Sequence, residues 1–361
     1  MEYFELMTKY EHEQVVFCYD RSVNLKAIIA IHDTTLGPAL GGLRMWSYKT
    51  EEEAVRDVLR LSKGMTYKAA VAGLNLGGGK AVIIGNPKTD KSEALFRTFG
   101  RFVDSLGGKY ITAEDVGTNV SDIEFVRMET QYVTGIDAAQ GGSGDPSPVT
   151  ALGVYGGIKA CVEAITGKSS LKGIKIAIQG CGNVGHNLIE LLHRDKAELF
   201  VSEIDSEKLN KIVETFKVTP VTDQEIFGID ALVFAPCALG SILNDETIPR
   251  FKFKIIAGAA NNQLADEKKH GHMIHDKGII YAPDYVINAG GLINVYNEIQ
   301  GYNRDKALRE ARNIYHIVKE VLRISKAENI PTNVASNKIA ERRLMEMRRL
   351  RGKHSKEYQY V

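Results

Sequence analysis

Two α/β domains are what this sequence predicts, the second of them a doubly wound parallel sheet. Three observations predict it. The 361 residues exceed what one hydrophobic core usually organises. The run Gly141-Gly-Ser-Gly-Asp-Pro-Ser-Pro148 has the composition of a hinge and divides the chain. After it, short apolar runs alternate with helical patterns, as in βαβ units. The first domain is assigned to residues 1–145, joined by C-terminal helices at about 325–361, and the second to 146–324, with a cleft between the two.

Taken in order, Gln14–Tyr19 and Leu25–His32 alternate apolar and polar residues between turns and read as paired strands. Thr50-Glu-Glu-Glu53 has the spacing of a capping box. The helix it opens carries Ala54, Val55, Val58, Leu59 and Leu61 on one side and delivers Lys68 near its end. Lys80–Ile84 is a short apolar strand. Ser92–Leu106 reads as a helix with Leu95, Phe96, Phe99, Phe102 and Val103 inward, ended by Gly107-Gly108. Tyr110–Gly117 reads as a strand and then a loop that holds Asp115. Ser121-Asp-Ile-Glu124 is read as a second capping box.

Beyond the hinge, Pro148 suits the first turn of a helix over Val149–Ile165. Strands follow at Lys175–Gln179, Leu199–Ile204, Ala231–Ala235, Ile255–Ala257 and Ile279–Ala282, with helices at Asn183–Leu192, Ser206–Phe216 and Ala265–Asp276. From Asp305 to about Arg351 two helices are expected, broken near Pro331. The last is very basic, and its arginines read as a solvated or inter-subunit face.

Composition excludes several classes. A net charge of +1 gives no electrostatic case for nucleic acid or an anionic membrane. The acidic N-terminus lacks the pattern of a signal peptide, and no apolar run approaches a membrane span. Cys18, Cys161, Cys181 and Cys237 are scattered without Cys-x-x-Cys, which reads as reduced thiols in cytoplasm and neither a disulfide framework nor a metal site.

Two lysines stand out. Lys68 and Lys80 sit among Ala, Val, Leu, Asn and Gly, where partial desolvation lowers an ammonium pKa and makes it a base or an anion anchor. Gly77, Gly78 and Gly79 let the backbone before Lys80 approach a ligand or take a positive φ; the bland alternative is a flexible turn with a solvated lysine. A P-loop is excluded by Leu74 and Ala81. Asp115, at a strand's carboxyl end, is either a functional carboxylate or a cap for the next turn.

Gly180-Cys-Gly-Asn-Val-Gly185 fits the dinucleotide fingerprint, and it follows a strand and opens a helix as the fingerprint requires. Gly180 serves the turn, Gly182 the approach of a pyrophosphate, and Gly185 the packing of helix on strand. The helix N-terminus suits phosphates. Glu203 or Asp205 is placed for the adenosine ribose; either acid repels a 2′-phosphate and favours NAD over NADP.

With these motifs in view the sequence resembles the amino-acid dehydrogenases of the glutamate/leucine/phenylalanine/valine family, over essentially the whole chain. The resemblance rests on Gly41-Gly-Leu-Arg44, Met65-Thr-Tyr-Lys68, Gly73–Lys80, Thr112–Gly117, Ser147–Thr150, Ala235–Gly240, Gly258–Asn262 and Pro283–Gly291. It implies a Rossmann-type second domain that binds NAD, and a first domain for substrate and oligomerisation. It implies reversible oxidative deamination of leucine and other branched aliphatic amino acids to 2-oxo acids and ammonia. A phenylalanine- or valine-preferring relative and a catalytically silent NAD-binding regulator are the alternatives.

Position by position, the resemblance implies that Lys68 binds the α-carboxylate. Lys80 is the catalytic lysine, its pKa lowered by Lys68 and burial, with Asp115 as its proton-shuttling partner that exchanges protons with the departing ammonia. Leu40, Gly41, Gly42, Ala113, Asn262, Leu292 and Val295 bind substrate. Gly180, Cys181, Gly182, Asn183, Val184, Gly185, His186, Glu203, Asp205, Thr150, Cys237, Asn261 and Asn288 surround the cofactor. Cys181 and Glu203 depart from the usual Leu and Asp. The resemblance further implies a homo-oligomer, an octamer, and domain closure during turnover.

Overall fold

In the computed structural model, residues 2–137, 139, 141–238 and 240–357 are described. The chain forms two compact units: Met1–Gly144 with Val295–Tyr302 and Ala340–Val361, and Asp145–Asn294 with Asn303–Ile339.

The first unit is built on the strand Gly77–Ile84. It runs antiparallel to Leu25–Asp33 and parallel to Ala39–Leu40 and Leu43–Trp46. Gln14–Asp20 adds an antiparallel edge beyond Leu25–Asp33, and Tyr110–Ile111 pairs with Ala39–Leu40. The period of two decides which side chains go where. Ala27, Ile29, Ile31, Ala81 and Ile83 pack with Phe96, Phe99 and Val103 of the helix Glu93–Asp104. Ile28, Ala30 and Val82 pack with Ala54, Val55, Val58 and Leu59 of the helix Glu51–Val71. Helices therefore cover both faces, which is why these strands are almost uninterrupted apolar runs.

Several sequence expectations are corrected here. The three glycines before Lys80 belong to the strand, and none has a positive φ. They are needed because protein approaches them. A Cβ on Gly77 would lie 2.1 Å from the Asp33 carbonyl oxygen, one on Gly78 2.1 Å from Thr66 Oγ1, and one on Gly79 2.7 Å from the Tyr110 ring. The capping box at Thr50 is half formed: Thr50 accepts from Glu53 N–H at 3.1 Å, while the Glu53 carboxylate accepts from Lys49 N–H. The second box is Asn119 with Asp122, two residues before the expected one, because the Asn119 amide oxygen reaches the Asp122 N–H first. A helix at Tyr3–Tyr10 precedes the expected strands. The C-terminal stretch holds three helices, Arg304–Arg312, Ile314–Glu328 and Thr332–Glu357, with an extra break at Asn313.

The basic last helix is not simply a solvated face. Arg343 donates to the carbonyls of Ala69, Ala70 and Gly73 and to Asn75, closing the C-terminal end of the helix Glu51–Val71. Arg348 pairs with the buried Asp33. Arg343 adds a cation where the helix dipole ends, and Arg348 joins the Thr35 N–H as a partner of the Asp33 carboxylate.

The second unit is a six-stranded parallel sheet. Its spatial order is Ile280–Tyr281, Ile255–Ile256, Val233–Pro236, Lys175–Gln179, Glu198–Ser202, Thr219–Pro220. In chain order that is the doubly wound 3-2-1-4-5-6 arrangement, whose order reverses between Lys175–Gln179 and Val233–Pro236. The two-residue strand Thr219–Pro220 is too short to carry a sequence signal. Among the described residues one helix, Ser147–Thr166, is long and apolar enough to cross a membrane, contrary to the sequence expectation. It is a core helix: Ile314 and Ile287 press on Gly153 and Gly157, and most of its apolar side chains are buried.

Candidate active site

In the first unit, strand pairing brings Lys80 and Asp115 together. Lys80 Nζ lies 2.9 Å from Asp115 Oδ1, and the lysine side chain is 6% exposed. Burial pushes the Lys80 ammonium below its ordinary pKa, and the Asp115 carboxylate works against that. The Arg44 guanidinium also lowers the Lys80 pKa, a charge effect that the sequence did not single out. At Asp115, burial raises the carboxyl, but Lys80 and Arg44 outweigh it and hold the group ionised below the usual carboxylate range.

Gly41 and Gly42 explain how the pair is placed. A Cβ on Gly41 would lie 1.7 Å from the Gly79 carbonyl oxygen. One on Gly42 would lie 2.3 Å from the Glu114 carbonyl oxygen and 2.9 Å from Asp115 Cβ. The two glycines let the Asp115 loop close down beside the strand that carries Lys80. Leu40 is buried between Gly78 and Ile111. Lys68 occupies the last turn of the helix Glu51–Val71, whose end Arg343 secures.

Ala113 and Val295 are also brought together. The space above Gly135, where φ is +76°, is bordered by Ala113 Cβ at 3.8 Å and Val295 Cγ1 at 4.0 Å from a notional Cβ. Gly135 was not singled out in the sequence. The Glu298 carboxylate steadies this region by accepting from the N–H groups of Gly135 and Ser143 at 3.0 and 2.8 Å.

The sequence reading missed a charged chain behind Asp115. Arg44 Nε donates to Asp115 Oδ2 at 2.9 Å, and its Nη1 donates to Asp57 Oδ2 at 2.9 Å. Tyr48 OH and Arg60 also donate to Asp57. The available signal was a lone arginine in the otherwise apolar strand Leu43–Trp46.

In the second unit the three fingerprint glycines have three different reasons. Gly180 has φ +98°, and its Cβ would meet Ala238. A Cβ on Gly185 would lie 2.2 Å from the Gly180 carbonyl oxygen. Gly182, with an ordinary negative φ, faces nothing within 4 Å. Neither protein packing nor backbone strain demands glycine there, whereas a pyrophosphate against the backbone would; the turn fits a dinucleotide. Asn183 and Val184 form the first turn of the helix Asn183–Arg194.

Glu203 accepts from the N–H of Cys181 at 2.6 Å and of Asp205 at 3.2 Å, so its carboxylate lies against the glycine turn. Asp205 caps the next helix, accepting from Glu207 and Lys208 N–H. Cys237 follows the neighbouring strand and donates its N–H to the Gln179 carbonyl. Asn288 donates to Asn261 Oδ1 at 2.7 Å, and Asn262 follows with φ +50°. Thr150 donates its hydroxyl to Pro146 O within its helix, and Gly291 lies beside it. Leu292 is buried in this same unit. His186 is not turned to the glycine turn by any bond: its ring packs edge-on against Phe216. No cluster able to hold a metal ion occurs among the described residues.

Known proteins are similar to this chain in sequence and fold. The sequence model described as Glu/Leu/Phe/Val dehydrogenase, dimerisation domain, matches residues 12–132, and that described as Glutamate/Leucine/Phenylalanine/Valine dehydrogenase matches 141–207 and 195–352. Leucine dehydrogenase of Geobacillus stearothermophilus is 56% identical over 97% of this chain and 95% of its own. Leucine dehydrogenase of Bacillus subtilis strain 168 is 56% identical over 97% and 96%. The crystal structure of L-tryptophan dehydrogenase from Nostoc punctiforme matches with a TM-score of 0.88 at 50% identity, covering 96% of this chain and 99% of that one.

Proposed function

This chain belongs to the glutamate/leucine/phenylalanine/valine dehydrogenase family and is an amino-acid dehydrogenase; we propose that it catalyses the reversible, NAD-dependent oxidative deamination of leucine and other branched-chain amino acids. Amino acid, water and NAD give 2-oxo acid, ammonium, NADH and a proton. The observation that carries the reading is the buried Lys80–Asp115 pair.

Lys68 holds the substrate α-carboxylate by charge. When bound, the nicotinamide supplies the acceptor for the hydride that leaves Cα. Lys80, neutral at the moment it acts, takes a proton from the water that attacks the resulting iminium carbon. Asp115 passes a proton to the departing ammonia. In the second unit the glycine turn takes the pyrophosphate and Glu203 the adenosine ribose. Glu203, whose carboxylate lies against the glycine turn, is the acid read as disfavouring a 2′-phosphate, and Asp205 caps the helix that follows. Asn261, Asn262, Asn288, Thr150 and Cys237 complete the surroundings of the nicotinamide half.

Leu40, Ala113, Leu292 and Val295 offer the substrate side chain apolar surface. A glutamate would bury a second carboxylate with no partner, at a cost of several kcal/mol. Leucine, valine and isoleucine differ by methylenes worth about 1–3 kcal/mol each, so all three are accepted. Phenylalanine ranks below them. A silent NAD-binding regulator would have no use for a buried lysine set against an aspartate. The chain acts as a homo-oligomer, by this reading an octamer. The exposed edge strand Gln14–Asp20, with Phe17 and Tyr19 outward, supports assembly, and four free cysteines suit the reducing cytoplasm.

The test follows NADH or NADPH absorbance with a panel of amino acids and either dinucleotide. Leu, Val and Ile should exceed Phe, Phe should exceed Glu, and NAD should exceed NADP. Glutamate above leucine would overturn the pocket. Lys80→Ala should lower kcat roughly 10²- to 10⁴-fold, whereas Lys68→Ala should mainly raise the amino-acid KM. A near-normal kcat in Lys80→Ala removes the catalytic assignment.

A further inference from the structure

A carboxylate that must face a catalytic lysine and also exchange a proton needs its orientation and its charge fixed by something else. Asp115 sits on a loop, where neither is fixed by the backbone alone. The loop is tied to the strand Leu43–Trp46: Thr118 donates its hydroxyl to the Leu43 carbonyl at 2.8 Å and accepts from Asp115 N–H at 3.0 Å. The same strand carries Arg44, whose fork spans two carboxylates from different elements. Asp115 lies on one side and Asp57 of the helix Glu51–Val71 on the other, each at 2.9 Å. Lys80, Asp115, Arg44, Asp57 and Arg60 thus form one chain of alternating sign that runs from the buried lysine outward.

We propose that Arg44 is a positioning residue of the deamination: its guanidinium locks Asp115 in the orientation that faces Lys80 and shares that carboxylate's charge between two cations. The proposal rests on the catalytic reading of Lys80 and Asp115 given above. Arg44 does not touch the reacting atoms; it acts through Asp115. Only arginine fits the place, because the planar fork presents Nε and Nη1 to two acceptors at once, and the ammonium of a lysine is a single point.

The sign of the effect follows from the groups that face Lys80. Asp115 comes from the loop, Arg44 from the neighbouring strand, and Asp57 from the helix Glu51–Val71, with Tyr48 and Arg60 bonded to Asp57; the buried Tyr110 phenol donates to the Gly41 carbonyl. Arg44 repels a proton on Lys80 and diverts part of the Asp115 charge. Asp57 attracts that proton. Removing Arg44 therefore makes Lys80 harder to deprotonate by both routes. Removing the Asp57 charge makes it easier.

The experiment compares pH profiles of kcat/KM for leucine deamination in wild type, Arg44→Met, Arg44→Lys and Asp57→Asn. The acid limb should move to higher pH in Arg44→Met, by on the order of one unit. It should stay near wild type in Arg44→Lys, which keeps the charge but loses the bridge and so lowers kcat. It should move to lower pH in Asp57→Asn. A merely structural arginine would lower activity in all three without opposite shifts. Coincident limbs in Arg44→Met and wild type, or shifts of the same sign in Arg44→Met and Asp57→Asn, would overturn the proposal. If Arg44→Met does not fold, Arg44→Lys decides it: kcat must fall while the acid limb stays with wild type, and an unchanged kcat would overturn the proposal. Lys80→Ala in the same series separates the two layers: if it retains activity, the catalytic reading has failed, whereas an inactive Lys80→Ala with unshifted Arg44 variants refutes only the role of Arg44.

Discussion

Two glycine-rich stretches of this chain look alike in sequence and work in opposite ways. Around Lys80, glycines are buried in a sheet and crowded by other protein: Gly41 against Gly79, Gly42 against Asp115, Gly78 against Thr66. In the fingerprint, Gly182 borders open space. The first set brings side-chain charges together; in the second, Gly180 and Gly185 are crowded by protein too, and Gly182 alone leaves the backbone open to a ligand. Glycine marks a place where something comes close, and only the fold decides whether that is protein or ligand.

The comparison breaks most visibly at Gly41. Gly41→Ala sets a methyl against backbone that cannot turn aside, so it should cost at least about 3 kcal/mol, the upper range for overpacking, or prevent folding. Denaturant unfolding measures it; a variant as stable as wild type would show that the sheet is looser than the contacts imply.

The crowded glycines also press the helix Glu51–Val71 onto two buried histidines. His12 Nε2 and Ser62 Oγ are 2.6 Å apart, and His32 Nδ1 and Thr66 Oγ1 are 2.8 Å apart. Burial lowers the His12 pKa to about 3 and the His32 pKa to about 4, with other nearby positive groups adding to the effect at His12. A base depressed in the folded state takes its proton more readily when unfolded. Stability is therefore complete above pH 6.5, the unfolded value, and is lost as pH falls towards 4 and 3. At pH 5 the loss should be on the order of 2 kcal/mol per histidine. Melting temperatures from pH 8 to 5 check this, and His32→Gln should flatten the curve.

At Gly182 the expectation reverses. Gly182→Ala should leave the melting temperature within the roughly 0.5 kcal/mol typical of a neutral surface change, yet raise the NAD KM by about tenfold, some 1.4 kcal/mol. Unchanged NAD affinity would mean that no phosphate approaches this turn. The smallest effect belongs to Gly64, exposed within the helix Glu51–Val71 with nothing within 4 Å of its Cβ position. Gly64→Ala should stabilise by about 0.5–1 kcal/mol through helix propensity alone. A loss there would reveal a partner that the single chain does not contain.

What the sequence by itself determined was what contiguous residues can decide. The turn Gly180–Gly185 was legible because strand, turn and helix follow one another, and the alternation beyond the hinge announced a parallel sheet. Lys80 and Asp115 were legible as candidates from their surroundings and from the family they resemble. Their contact was not, since it depends on which strands pair. Arg44 stands 71 residues from Asp115 and 13 from Asp57, and no local pattern reports a bridge between three elements. Nor could sequence say that Gly77–Gly79 are crowded and Gly182 is open, because a missing Cβ carries no information about its neighbour. Backbone propensity acts over a few residues, whereas buried charges and close approaches are set by packing across the sheet, and only the tertiary structure holds those distances.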